Sequence, residues 1–99
     1  MRIAVPHNTT KDNARQVVER KIDALLSQFG AHADEIKHEW SGDMLRFKGR
    51  ARGFNVEGTV EITDGEVILE SKLPLMAMPF EGRIRQAVER EADAMFRTA

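Results

Sequence analysis

Few residues in this chain have types and spacing that could support chemistry. The nearest hydrolytic set is Ser41 or Ser71 as nucleophile, with His38 as base and Asp43 as its partner. Neither serine lies in a Gly-x-Ser-x-Gly elbow, and Ser41 and Asp43 share a predicted turn. We therefore expect no catalytic residues and no enzyme activity. Esterase activity that is lost on mutating His38 would contradict this expectation.

The three histidines are scattered along the chain. His7 lies between a predicted strand and a predicted helix, so we expect it to donate to a backbone carbonyl or to help cap the helix, with a place in a pocket as the alternative. His38 shares the predicted core face with Ile36 and Trp40, because these three residues alternate with charged ones; this predicts a buried, hydrogen-bonded histidine. His32 is expected to be exposed in a loop. No cysteine or second histidine has metal-ligand spacing, so we expect no metal and no cofactor.

Composition predicts one cytoplasmic domain over residues 1–99. The chain is 41% hydrophobic and 31% charged, with a net charge of −1. Such balanced charge gives no reason to expect nucleic-acid binding. There is no cysteine, which excludes disulfides and fits a reducing compartment. The sequence shows neither an apolar run long enough to span a membrane nor a signal-peptide pattern.

Residues 35–73 predict a meander of four antiparallel strands, because apolar and polar residues alternate in four short segments. Residues 49–53 predict a turn or bulge, and Asp64-Gly65 predicts a type I′ hairpin with positive φ at both residues. The third segment is the clearest. Its apolar face carries Phe54, Val56, Gly58, Val60 and Ile62.

A short strand and a helix are predicted before the meander, and a second helix after it. The strand spans residues 2–5, and Pro6 indicates that it ends there or lies at a sheet edge. Thr9 is the candidate N-cap of the first helix. The apolar stripe of that helix comprises Ala14, Val17, Val18, Ile22, Leu25 and Phe29. The second helix is predicted from about Pro79 to Arg97. Its stripe comprises Phe80, Ile84, Ala87, Val88 and Met95.

These elements predict an α+β fold in the order β-α-β-β-β-β-α. The sheet has five mainly antiparallel strands, and two helices pack on its apolar face, with a helix-grip arrangement as one form of this architecture. The first strand is expected beside the last one, because the first helix must cross the sheet to reach the second strand.

The candidate contact residues for a ligand or partner are Leu75, Met76, Met78, Phe80 and Trp40. The first four form a methionine-rich apolar run where the chain changes direction. They could pack the start of the second helix onto the sheet, or they could form an adaptable patch that touches a partner. Trp40 is the one tryptophan. It could fill the core or line the mouth of an apolar cleft.

Arg46, Lys48, Arg50 and Arg52 alternate and predict a basic stripe on one face of the sheet. Glutamates in the neighbouring predicted strands could pair with this stripe across the sheet. No aromatic residue interleaves with it, as a platform for stacked bases would require. We therefore interpret the stripe as a solvated face.

The chain resembles the polyhydroxyalkanoic acid system family, small bacterial proteins associated with polyhydroxyalkanoate granules. The resemblance covers nearly the whole chain and rests on several short motifs in a characteristic order. These motifs are Val5-Pro6-His7, Asp12-Asn13-Ala14-Arg15, Trp40-Ser41-Gly42-Asp43 with Leu45 and Phe47, Gly53 with Gly58, Val67 with Leu69, Leu73-Pro74, and Ile84 with Val88. The resemblance implies an accessory or regulatory role at the granule or with its proteins. It implies no catalytic residues.

Other functions stay open at this stage. A small hydrophobic-ligand carrier would need a cavity between helix and sheet, and a homodimeric interaction module would use the polar sheet face or an edge strand. Ribosome hibernation factors have a similar element order, with Lys21-Ile22-Asp23-Ala24-Leu25 resembling one of their helices. They need a basic surface for rRNA phosphates, so a net charge of −1 argues against that class.

Overall fold

The computed structural model describes residues 1–28, 35–51, 53–72 and 75–97. Within these ranges the chain forms five strands, two α-helices and one short 3₁₀ helix. In chain order they are β1 (Arg2–Pro6), α1 (Lys11–Gln28), β2 (Lys37–Ser41), β3 (Met44–Ala51), β4 (Phe54–Ile62), β5 (Glu66–Lys72), the 3₁₀ helix (Leu75–Phe80) and α2 (Glu81–Arg97).

The five strands form one open sheet in the order β1-β5-β4-β3-β2, and every neighbouring pair is antiparallel. The predicted α+β class, element order and meander are therefore confirmed. The expected place of the first strand is also confirmed, since β1 pairs with β5. This order leaves β1 at one edge of the sheet and β2 at the other.

One face of the sheet carries the core. Leu45 lies opposite Trp40 on one side and Val60 on the other, and Val60 in turn lies opposite Leu69. Residues directly opposite each other share a face, so this apolar row runs across the sheet to Ile3 in β1. The two helices cover this face. The other face, which we call the open face, carries mostly charged and polar side chains.

Helix α1 covers the middle of the sheet and α2 covers β1. The buried residues of α1 are Ala14, Val17, Val18, Ile22 and Leu26. Leu26 thus takes the buried place expected for Leu25, which is half-buried, and Phe29 lies outside the described residues. In α2, Val88 packs with Ile3 and Val5 of β1.

The second helix begins later than predicted. A 3₁₀ helix spans Leu75–Phe80, and α2 starts only at Glu81. Pro79 lies inside this 3₁₀ helix, two residues before α2 begins. As a result Phe80 is 54% exposed and is not part of the buried stripe, where Phe96 is buried instead.

Two predictions at turns and caps were wrong, and a third was right in part. Neither Asp64 nor Gly65 has a positive φ, so the turn is not type I′; the Thr63 hydroxyl accepts the Glu66 amide at 2.9 Å instead. The turn predicted within residues 49–53 is confirmed at Gly53, which has φ 84°, but Gly49 lies inside β3, opposite Val56. The N-cap of α1 is Thr10, whose hydroxyl accepts the backbone amide of Asn13 at 3.1 Å.

Candidate functional site

Two large apolar side chains are exposed just before α2. Met78 is 53% exposed and Phe80 is 54% exposed, and in the described part of the chain they are the large hydrophobic residues with this much open surface. Leu75 and Met76 belong to the same 3₁₀ helix, but their side chains lie outside the described structure. We call Met78 and Phe80 the apolar tip.

The apolar tip is attached to a firmly packed helix. One turn further along α2, the Arg85 guanidinium donates to the backbone carbonyl of Arg2 at 2.8 Å. Val88 then packs into the small core cluster with β1. The tip therefore projects from the end of a helix whose own position is fixed by the sheet.

Trp40 does not join the apolar tip. It lies on β2, at the sheet edge opposite to β1, and its side chain contacts α1. Its indole N–H donates to the Glu19 carboxylate, and the Arg15 guanidinium lies 4.7 Å from the centre of its ring. A partly buried tryptophan held in this way fastens β2 to α1.

His38 lies beside Trp40 and is fastened by the same helix. Its Nε2 is 3.0 Å from Glu19 Oε1, and its Nδ1 is 3.3 Å from Asp23 Oδ1. The hydrogen bond to Glu19 raises the pKa of His38 above its ordinary value, against an opposing effect of partial burial. The hydrogen bonds from Trp40 and His38 lower the pKa of Glu19. We call Arg15, Glu19, Asp23, His38 and Trp40 the β2 clasp.

His7 is almost fully buried, at 1% exposure. Its Nε2–H donates to the Thr63 carbonyl at 2.8 Å, and its Nδ1 accepts the Thr9 amide at 3.2 Å. These two bonds fix the tautomer and use both ring nitrogens. His7 therefore ties the end of β1 to the segment after β4, next to the Phe96 ring.

The hypothetical hydrolytic set is not assembled in this structure. Both nitrogens of His38 face carboxylates of α1, and Asp43 instead pairs with Lys11 at 3.1 Å. The Ser71 hydroxyl donates to the Glu57 carbonyl at 3.0 Å. The described ranges also hold no group of three side chains placed to bind a metal ion.

The space between helices and sheet is small. A cavity of about 50 Å³ lies there, lined by apolar side chains of both helices and of β1, β4 and β5. Ligand sites typically have volumes of about 300–1,000 Å³. In this conformation, the space that the described residues leave between helices and sheet therefore has no room for an acyl chain.

The basic stripe lies on the open face. Arg46 is opposite Glu39 and Lys48 is opposite Glu57, but in neither pair does a side-chain nitrogen lie within 4 Å of a carboxylate oxygen. Arg50 lies opposite Asn55, and Arg52 is outside the described residues. Among the open-face residues that the structure describes, the ion pair formed is Arg2–Glu70 at 3.3 Å.

None of the helices in the described ranges is both long enough and apolar enough to cross a membrane. No curated protein and no solved structure matches the chain. The family model described as "Putative polyhydroxyalkanoic acid system protein" matches residues 1–96. Since this match covers nearly the whole chain, the protein belongs to that polyhydroxyalkanoic acid system family.

Proposed function

We propose that this protein is a non-catalytic accessory of the polyhydroxyalkanoate system that binds the granule surface through its apolar tip. The family membership supports a role in the polyhydroxyalkanoate system, and the exposure of Met78 and Phe80 supports a contact through the apolar tip. The adjoining Leu75 and Met76 extend the apolar run in the sequence.

The chemistry of the tip suits a polyester surface. Full burial of a methionine or phenylalanine side chain contributes about 1.5–3 kcal/mol, so burying the open half of each adds about 1 kcal/mol. Methionine is unbranched and adapts to an irregular surface, and phenylalanine offers a flat apolar ring. A contact of this size supports reversible association rather than permanent anchoring.

A role in binding rather than catalysis is supported by how the polar side chains are used. His7 and His38 each have both ring nitrogens engaged inside the fold, and Asp43 pairs with Lys11. A general base must reach the proton that it removes, and these groups already have partners. The small cavity gives no support to the alternative of a ligand carrier.

Fractionation of polymer-accumulating cells tests the proposal. The tagged protein is expected in the granule fraction of cells that accumulate polymer and in the soluble fraction of cells that do not. The double variant Met78→Ser/Phe80→Ser is expected to move to the soluble fraction in both. Binding to protein-free polymer particles would identify the polymer itself as the surface, and binding only to native granules would identify a granule protein.

A control is available on the open face. Met44 and Ile68 are partly buried apolar residues of β3 and β5, so Met44→Ser/Ile68→Ser makes the same kind of substitution away from the 3₁₀ helix that carries the tip. This control should stay with the granules. If the tip variant folds and stays with the granules as well, the proposed contact is wrong.

A further inference from the structure

We propose that the outer edge of β2 pairs with the same edge of a second copy of this chain. The two strands run antiparallel with His38 facing His38 of the second copy, and the two sheets join into one. This proposal concerns a different surface from the apolar tip and is independent of granule binding.

The opposite sheet edge, β1, is closed to such pairing. Met1 and Ser71 exchange both backbone hydrogen bonds, and the His7 amide donates to Gly65. By antiparallel alternation, the backbone groups of Arg2, Ala4 and Pro6 therefore face outward. The Arg2 carbonyl already accepts a hydrogen bond from the Arg85 guanidinium of α2, and Pro6 has no amide hydrogen. A charged cover and a proline are common ways to protect an edge strand.

Among the described residues, the β2 edge has neither a proline nor a side chain that bonds to its outward backbone groups. The Ile62 amide donates to Asp43, so alternate residues of β3 from Asp43 onward bond to β4. The residues between them, Met44, Arg46 and Lys48, bond to β2, opposite Ser41, Glu39 and Lys37. The backbone N–H and C=O groups of His38 and Trp40 consequently point away from the sheet, and the strand order places no described strand beyond them.

Charge selects both the partner and the register. With His38 facing His38, Lys37 of each copy lies opposite Glu39 of the other, and Ile36 lies opposite Trp40. This arrangement gives two opposite-charge pairs and two apolar pairs, each of a kind that stabilises neighbouring strands. Shifting the centre to Glu39 would place like charges face to face, and centring on Trp40 would form no charge pair between residues of the two β2 strands. The edge is therefore complementary to itself.

The β2 clasp prepares the strand for pairing. Glu19 holds the side chains of both His38 and Trp40 on the helix-covered face, so they do not obstruct the edge. Each His38 ring also lies between the Glu19 and Asp23 carboxylates of its own chain. These carboxylates offset the positive charge of a protonated His38 ring near the dimer axis. Because the paired segment is short, we expect a dimer that dissociates on dilution.

Sedimentation velocity at low salt, at concentrations up to about 1 mM, tests this proposal. The wild-type chain should form dimers in a concentration-dependent way. Lys37→Glu alone and Glu39→Lys alone should each weaken dimerisation by about tenfold or more, because each converts two attractive pairs into repulsive ones. Circular dichroism checks that both variants are folded.

Mixing the two single variants gives the decisive control. In the mixed pair, each acidic position of one variant faces a lysine of the other, so a heterodimer should form where neither variant dimerises alone. The double variant Lys37→Glu/Glu39→Lys should dimerise with itself. A wild-type chain that stays monomeric throughout, or a dimer that is insensitive to both single changes, would overturn the proposal.

Discussion

Glu19 of helix α1 lies with its Oε1 3.0 Å from Nε2 of His38 on the edge strand β2. The other oxygen of the same carboxylate accepts the indole N–H of Trp40. One exposed helical side chain thus fixes two neighbouring inward-facing residues of a strand that has a pairing partner on only one side among the described residues. The position of this edge strand therefore depends on charge as well as on packing.

The stabilising effect of His38 should depend on pH. Its pKa is raised above the ordinary 6.5, so its contribution is fully present below pH 6.5 and is lost as pH rises through the folded-state pKa. The Glu19 pKa is lowered from 4.5, so that contribution is present above pH 4.5 and is lost as pH falls through the lowered value. The free-energy difference between wild type and His38→Gln should be largest between these limits, at about 1 kcal/mol or less since Glu19 is half exposed.

Denaturant unfolding across this pH range measures the difference, and NMR titration of the His38 ring locates its pKa. Glu19→Gln serves as the control, because it keeps an acceptor for the Trp40 indole while removing the charge. In that variant the pKa of His38 should fall toward its ordinary value. Identical titration of His38 in both proteins would show that Glu19 does not control its charge.

The β2 clasp could be predicted only in part. Period-two alternation correctly placed His38 and Trp40 on the inward face, but it identified no partner for them. Arg15, Glu19 and Asp23 recur every four residues beside the apolar stripe of α1, which is the signal that sequence reasoning missed. That spacing aligns the three side chains along the helix. Which strand they meet depends on how the helix lies across the sheet.

Gly58 should not tolerate a larger residue. It lies in β4 opposite Phe47 and Ser71, and a Cβ atom there would lie 2.8 Å from the Phe47 ring and would collide with the Glu70 carbonyl. Backbone cannot move aside cheaply, so Gly58→Ala should lower the free energy of unfolding by about 1–3 kcal/mol. Thermal or denaturant unfolding measures this loss.

Gly65 provides the matched glycine control. Its φ is not positive, and a Cβ atom added there would have no neighbouring atom within 4 Å, so Gly65→Ala should leave stability nearly unchanged. Equal stability of the two alanine variants would contradict the close approach at Gly58.

His7→Ala should destabilise the fold strongly. The change would leave the Thr63 carbonyl and the Thr9 amide without their partner and would open a cavity beside Phe96. Together these effects predict a loss of about 2–4 kcal/mol in the free energy of unfolding. Asn8→Gly is the neighbouring control: Asn8 has φ 51°, a conformation that glycine adopts freely, so stability should change by less than about 0.5 kcal/mol.

The fold was more predictable than its turns and helix ends for a physical reason. Alternation along β4 is repeated over nine residues, so many side chains together indicate which face of the strand is buried. The type of a turn depends on the backbone angles of one or two residues, and competing hydrogen bonds can change those angles. At Asp64-Gly65 the turn has another type than predicted, and the Thr63 hydroxyl accepts the Glu66 amide. Before α2, a 3₁₀ helix occupies the residues where the helix was predicted to start.

The cap of α1 gives a direct comparison of two adjacent threonines. Thr10 accepts the backbone amide of Asn13, one of the amides that the helix itself cannot satisfy, whereas Thr9 accepts only the Asn13 side-chain amide at 3.0 Å. Thr10→Ala should therefore cost about 1 kcal/mol of stability, and Thr9→Ala should cost less. Parallel unfolding curves of the two variants measure the difference. The reverse order would restore Thr9 as the cap, as its position in the sequence indicates.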